Sequence, residues 1–352
     1  MAEGMDFHVI RTPEELRTLS GAWSGLWRED PNATPFQSPE WLLPWWHQFG
    51  QTDLRAVAIF QRGKLTGLLP FYVYREPRTG DRQMLLLGAG TSDYLGGVFA
   101  KHCTKEHVQE AIRVACAQGK WDVLYASQLL PGSLLCQALE RSARCSPAES
   151  CSRMAALPMS QLPQKIRRNA MYYRNRAARL GTLELTLADP SNWMEYFHAL
   201  QRMHTARWQE RGEPGVLADE RVLAWHQEAL PLLQQSGIVR LCSLRLNGEI
   251  IGVLYSLIDP PRASQPAQRT ARTQYFYLTA YSMQHADLRP GTLLLALAIE
   301  QAANEGVQTI DMLRGDEAYK QIWHLTRSPT VGFALRNTAS STSASNDAIS
   351  AA

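Results

Sequence analysis

The sequence predicts an α/β protein made of two tandem units, each a mixed sheet flanked by helices, and three observations carry that prediction. At 352 residues the chain is too long for one ordinary core, and two domains of roughly 150 residues each are the natural division. One pattern of hairpin, strand, helix and strand runs twice along it, with the hairpin glycines 185 residues apart and the helix-ending glycines 187 residues apart. In each copy a glycine stops a helix just before a short apolar strand: Gly119 before Trp121 to Tyr125, and Gly306 before Val307 to Met312. Glycine is the usual stop signal for a helix because it accepts the left-handed backbone found there.

Taken in order, the first hairpin joins Ala56 to Phe60 with Gly63 to Leu69. The apolar run Met84 to Ala89 then leads into a Gly-rich loop, Gly88 to Gly97, which carries Asp93 and Tyr94. Gly, Ser and Asp populate turns whatever their function, and a Gly-rich loop after a strand is also a weak phosphate signal. The next helix opens with Thr104-Lys105-Glu106 and ends at Gly119. Lys165 to Leu180 lacks Pro and Gly and sets Ile166, Met171 and Tyr173 among arginines, which predicts a basic connecting helix. His204, Arg207 and Trp208 lie one helical turn apart and so share a side of their helix. The second hairpin, Leu241 to Leu246 with Gly248 to Leu254, is the better marked, since Asn247-Gly248 supplies the two positive-φ residues of a type I′ turn. After Asp259-Pro260-Pro261, a Pro, Ala, Arg and Gln-rich stretch to Arg272 predicts a mobile loop ahead of the strand Tyr275 to Tyr281. Pro290 and Gly291 precede a helix from Thr292 to Glu305. The tail from Asn337 to Ala352 is Ser, Thr and Ala with almost no apolar bulk, which predicts disorder. The resulting division is 1–155, a connecting helix 156–182, a second domain 183–336 and a tail 337–352.

The net charge of +3 is too slight to imply DNA binding, but it is unevenly placed: seven cations and no acid lie between Cys151 and Leu183, leaving −4 elsewhere. That stretch is either a solvated helix face or a cationic wall that draws in a phosphorylated ligand. Six cysteines form no CxxC pair and no regular spacing with histidine, so neither a zinc site nor a disulfide framework is supported, and reduced structural thiols are expected. Glu3 and Asp6 precede any apolar run, unlike a signal peptide. The longest apolar runs, Met84 to Ala89 and Leu293 to Ile299, fall far short of the roughly 20 residues of a membrane span. A cytoplasmic protein is expected.

The most informative segment is Asp311-Met312-Leu313-Arg314-Gly315-Asp316-Glu317-Ala318-Tyr319-Lys320, where a short strand runs into a Gly turn crowded with ionisable groups. Hydrophobic cores do not ask for that mixture, and the carboxyl ends of strands in open α/β sheets are where ligands usually bind. Alternation puts Ile310 and Met312 on the face opposite Asp311, so Asp311 departs from the apolar pattern.

Arg314 to Lys320 with Trp323 resembles the end of the BioF2-like, or CelD-like, acetyltransferase domain. Phe36-Gln37-Ser38-Pro39-Glu40-Trp41, Ser92-Asp93-Tyr94-Leu95, His204-Thr205-Ala206-Arg207-Trp208 and Leu288-Arg289-Pro290-Gly291-Thr292 agree with it. The repeated unit resembles the GNAT acyltransferase fold, and the family is similar to the Fem aminoacyltransferases, which carry two GNAT-like units in one chain. The resemblance implies two tandem GNAT-like domains and transfer of an acetyl or acyl group from acetyl-CoA or another acyl-CoA to an amine, on a small molecule or an amino sugar of a cell-envelope saccharide precursor, without a metal. It places the donor between the strands Tyr275 to Tyr281 and Val307 to Met312, with its pyrophosphate at the following helix start. Tyr281, Arg289, Gly291 and Thr292 are then the donor-binding residues, though this start is poorer in glycine than the family's usual loop.

Transfer to an amine needs a deprotonated nucleophile and a protonated leaving thiolate. The resemblance offers Asp311 and Asp316 as base or water-orienting group and Tyr319 as the acid. Arg314, Gly315 and Lys320 would hold the acceptor with His204, Arg207, Trp208, Asp93 and Tyr94. An ion pair that fixes the turn accounts for Asp311 and Lys320 about as well. Two other readings stand beside this one: a Fem-like transfer in which the basic helix grips an aminoacyl-tRNA, and a catalytically silent binding module of a polysaccharide synthesis complex.

Overall fold

The structure, a computed structural model, describes residues 4–50, 53–146, 148–260 and 272–338. Most of the expected loop at 260–272 and of the expected disordered tail lies outside them. The chain divides into two compact units, Met1–Glu149 with Pro329–Ala352, and Ser150–Ser328.

In the first unit, β1 (Asp6–Ile10), β2 (Asp53–Gln61), β3 (Lys64–Arg75) and β4 (Arg82–Leu86) form an antiparallel run. Helices α1 (Pro13–Thr18), α2 (Ser20–Glu29) and α3 (Pro39–Phe49) lie between β1 and β2 in sequence. A short β5 (Val98–Phe99) pairs with β3. Helix α4 (Lys105–Cys116) then carries the chain to β6 (Val123–Leu129), which lies parallel to β4. The spacing of Val108, Ala111, Ile112 and Ala115 explains how α4 packs: these residues share one face and are buried. Helix α5 (Leu134–Leu139) and β7 (Arg144–Ser146) follow.

The second unit repeats the plan. It begins with β8 (Cys151–Ala155) and α6 (Gln164–Ala178), then β9 (Leu183–Leu187), α7 (Trp193–Gln209), α8 (Glu220–Gln235) and the hairpin β10 (Val239–Leu246) and β11 (Glu249–Ile258). Next come β12 (Thr273–Tyr281), α9 (Pro290–Asn304), β13 (Thr309–Asp311) and β14 (Thr326–Ser328), and the sheet order is β9-β10-β11-β12-β13-β8-β14. Helix α9 buries residues all round, Leu294, Ala298 and Ile299 among them, because it is packed on the sheet and by α6. The hairpin turn matches its sequence signal: Asn247 and Gly248 sit at φ 51° and 83°.

The last strand, β15 (Val331–Arg336), pairs with β6 and β7 and completes the first sheet in the order β1-β2-β3-β4-β6-β15-β7. The corresponding place in the second sheet is taken by β8. The units therefore depart from the 155, 182 and 336 boundaries. Residues 150–182 belong to the second unit because Cys151–Ala155 pairs with β13 and β14, and because Ile166, Ala170 and Ala177 of α6 lie in its core. Residues 331–336 belong to the first unit through their ladder bonds to β6 and β7.

Candidate functional site

Strands β12 and β13 run parallel, but only for Thr273, Gln274 and Tyr275 opposite Thr309, Ile310 and Asp311. Beyond Tyr275, β12 continues to Tyr281, paired with β11 alone. The other strand leaves. The Met312 amide donates to the Ser152 carbonyl at 2.8 Å and the Leu313 carbonyl accepts from the Ser152 amide at 3.2 Å, so the chain follows β8, and Leu313 bends it at φ 59°. Among the described residues, the β13-side edge of 276–281 has no strand partner, and the two strands part at their carboxyl ends. Strands β4 and β6 part in the same way after Met84 and Leu124. There the gap is taken up by the chain itself: Leu95 bridges to Leu129 and its amide donates to the Gln128 carbonyl at 3.0 Å.

Helix α9 starts beside the open pair. Pro290 occupies its first turn, and the preceding Arg289 is left-handed (φ 48°, ψ 52°) and gives no side-chain cap. The free amides of such a turn carry the positive end of the helix dipole. Gly291 is required by a close approach: a Cβ there would stand 2.8 Å from two carbons of the Tyr281 ring. The Arg207 guanidinium lies 5.0 Å from the centre of that ring. Arg207 of α7, Tyr281 of β12 and Gly291 of α9 are thus gathered at one place.

His204 and Trp208 belong to the same side of α7, their rings 5.8 Å apart. His204 is buried and, among the described residues, Nδ1 has no hydrogen-bond partner. Burial, reinforced by the Arg207 charge, pulls its pKa down to about 4, so it is neutral at pH 7. Tyr319 is 41 % exposed. Desolvation and then the Glu317 charge nevertheless push its phenol upward, while the Arg207 cation opposes them. It keeps its proton at neutral pH.

The other residues of the turn have different occupations. Asp311 is fully buried; Oδ2 accepts from Arg153 Nε at 2.7 Å and Oδ1 from the Leu313 amide at 2.8 Å. Lys320, also buried, donates to the carbonyls of Leu313 (3.3 Å), Arg314 and Gly315 (3.2 Å) and pairs with Glu317 at 2.9 Å. The roles expected of Asp311 as base and of Lys320 as acceptor ligand are therefore corrected: both fix the turn, and the Arg314 and Gly315 carbonyls are bound to Lys320. Asp316 points to solvent, its side chain 83 % exposed and paired with Arg327 at 2.9 Å, too open for a base held in a cleft. Asp93 and Tyr94 are buried in the first unit, Tyr94 completely, with its carbonyl accepting from Gln37 Nε2 at 2.8 Å. Tyr94 is a core residue and not an acceptor ligand. Arg153, the partner that settles Asp311, was missed by sequence reasoning; it lies 158 residues away, and nothing local to it signals the pair.

Among the described residues no His, Cys, Asp and Glu side chains gather as a metal site, and no helix is long and apolar enough to cross a membrane.

Residues 164–321 match the family model described as an acetyltransferase (GNAT) domain. No curated protein matches the chain in sequence. Among solved structures, FemX is similar over 94 % of this chain and 97 % of its own, with a TM-score of 0.64 at 11 % identity. The C-terminal domain of a putative lysylphosphatidylglycerol synthetase from Agrobacterium fabrum matches over 95 % and 96 %, at TM-score 0.55 and 12 % identity. L-PGS from Bacillus licheniformis matches over 93 % and 92 %, at 0.55 and 13 %. At such identities the likeness is one of fold, and it extends across both units. The chain therefore has a fold of two tandem GNAT-like units, and residues 164–321, within the second unit, match the GNAT acetyltransferase domain model.

Proposed function

We propose that the second unit moves an acyl group from a coenzyme A thioester to an amine. The observation that carries this reading is the pairing of an open strand edge, 276–281, with the uncapped start of α9 beside it. The two offer what such a donor has to bind: amide groups for an extended pantetheine arm, and free N–H groups at a helix start for its pyrophosphate. Gly291 and Thr292 would hold the phosphates, with exposed Arg289 next to them and Tyr281 against the arm. The acceptor, an amine on a small molecule or on an envelope saccharide precursor, would come in along the Arg207 and Trp208 side of α7.

In the reaction the amine nitrogen attacks the thioester carbonyl, the C–S bond breaks, and the thiolate takes a proton. Tyr319 is the proton donor of this reading: it is the phenol of the turn, and the Arg207 charge counters the burial and the Glu317 charge that hold its proton. The Arg207 cation stabilises the charge that develops on oxygen and sulfur. No carboxylate in the turn is left to act as base, so the amine enters as its neutral form and gives up its surplus proton to water, from which the Tyr319 phenolate takes one back.

A thermal-shift series with coenzyme A, acetyl-CoA and longer acyl thioesters tests the reading. A thioester at a hundred times its dissociation constant adds about 2.7 kcal/mol to the folded state. If no thioester raises the melting temperature, the proposed donor is wrong. A Fem-like donor is the rival reading, and it would show instead as strongly salt-dependent RNA binding.

A further inference from the structure

Helix α6 turns Ile166, Ala170 and Ala177 into the core of the second unit. Its opposite side is unlike an ordinary solvated face. At 100° per residue, Arg168, Asn175 and Arg179 form the outward ridge, with Lys165 and Tyr172 on one flank and Met171 on the other. Arg176 is held by Asp287 at 2.6 Å and Arg167 by the Ser160 carbonyl at 2.6 Å. Among the described residues no ion pair engages Lys165, Arg168, Arg174 or Arg179. Large apolar side chains stand among these cations, Met171 54 % and Tyr172 59 % exposed. A solvated helix usually intersperses acids at i±4 and keeps such side chains inward; no acid occurs between 151 and 183.

We infer that this face docks on an anionic lipid surface. Phospholipid headgroups neutralise the cations, and each one facing such a surface strengthens partition about fivefold. Met171 and Tyr172 reach the boundary between headgroups and acyl chains, where interfacial helices bury their apolar residues. Nucleic acid fits less well. Surfaces that grip single strands interleave cations with several aromatic platforms, and on this face, among the described residues, Tyr172 is the one exposed ring, with Met171, which has none, on the other flank. Contact through one helix of this size is peripheral and reversible. Because Arg176 also ties α6 to the turn that leads into Arg289 and α9, docking would bring the start of α9 towards the lipid.

The test is co-sedimentation of the full chain with vesicles of phosphatidylcholine, with and without phosphatidylglycerol, at low and high salt, alongside a labelled RNA. The inference expects binding only to the phosphatidylglycerol vesicles, weakened by salt. In the double variant Arg168→Glu with Arg179→Glu, partition should fall at least about 25-fold with the melting temperature unchanged. Met171→Ser with Tyr172→Ser should lower the part of the binding that survives high salt. Equal binding to neutral vesicles, no binding to either, or an Arg168→Glu/Arg179→Glu effect confined to RNA would overturn it. The readout is partition and not turnover, so its failure is separate from failure of the acyl-transfer reading.

Discussion

A lysine ammonium has three protons, and Lys320 directs them at three backbone carbonyls of its own turn while Glu317 balances its charge. Because Glu317 is 54 % exposed, the ion pair itself contributes little; the carbonyls are what matter. Lys320→Met should cost about 3 kcal/mol in urea denaturation, since buried acceptors then lose their donor. Tyr319→Phe should leave the melting temperature and the thioester shift nearly intact and lower kcat about 100-fold, the usual worth of a positioned acid. An unchanged kcat removes Tyr319 from the chemistry. Gly291→Ala must displace the Tyr281 ring, at a cost of about 1–3 kcal/mol, and should weaken the thioester shift more than Tyr319→Phe does. Buried histidines set the acid limit. His204 at about 4 and His226 at about 3 lie below the ordinary 6.5. As the pH falls through 6.5 the unfolded chain takes up protons that the native state refuses. Stability is therefore complete above pH 6.5 and is lost on the way down to about 4, at about 2.7 kcal/mol per pH unit for two histidines. Urea midpoints at pH 7.5, 6 and 5 check this, and His204→Gln should roughly halve the slope.

Among the elements, the parting of β12 from β13 decides most, and its cause is partly outside both strands. Ser152 of β8 takes the backbone bonds of Met312 and Leu313, and Arg153 of β8 anchors Asp311. The expected strand from Val307 to Met312 is Thr309–Asp311 in the structure, the Val307 amide being bound to the Ala302 carbonyl at the end of α9. Hydrogen exchange reads the consequence directly: amides of 276–281 that face the gap should exchange faster than those bonded to β11. Saturating thioester should slow them together with the amides of 291 and 292. Protection confined to the β11 side, unchanged by any thioester, would mean that the gap holds no donor. The hairpins and α9 were legible in the sequence because their signals are local: an Asn-Gly turn, a Pro-Gly start, a Gly stop. The contrast between an open gap in one sheet and a filled one in the other was not, because Leu95 closes the first by a bridge to Leu129.

At the scale of the whole molecule the chain leaves the first sheet after β7 and returns to it only with β15. Residues 150–328 hold every strand of the second sheet, so that fragment should fold alone, with a cooperative unfolding transition by circular dichroism. The fragment 183–336, cut at the boundaries the sequence suggests, lacks β8 and α6 and should not. Deleting 331–338 from the full chain should expose β6 and β7 and unfold the first unit before the second. If 183–336 proves as stable as 150–328, the strand assignment is wrong.

The sequence by itself determined the α/β class and the doubled hairpin, strand, helix and strand, because periodicity, turn chemistry and helix stops act over a few residues. Tertiary structure alone decided which sheet β8 and β15 complete. It also turned Asp311 and Lys320 inward as braces and left Tyr319, Arg207, Tyr281 and Gly291 as the proposed site. Those outcomes depend on hydrogen bonds and burial between residues far apart in the chain, and no local pattern encodes a partner at that distance.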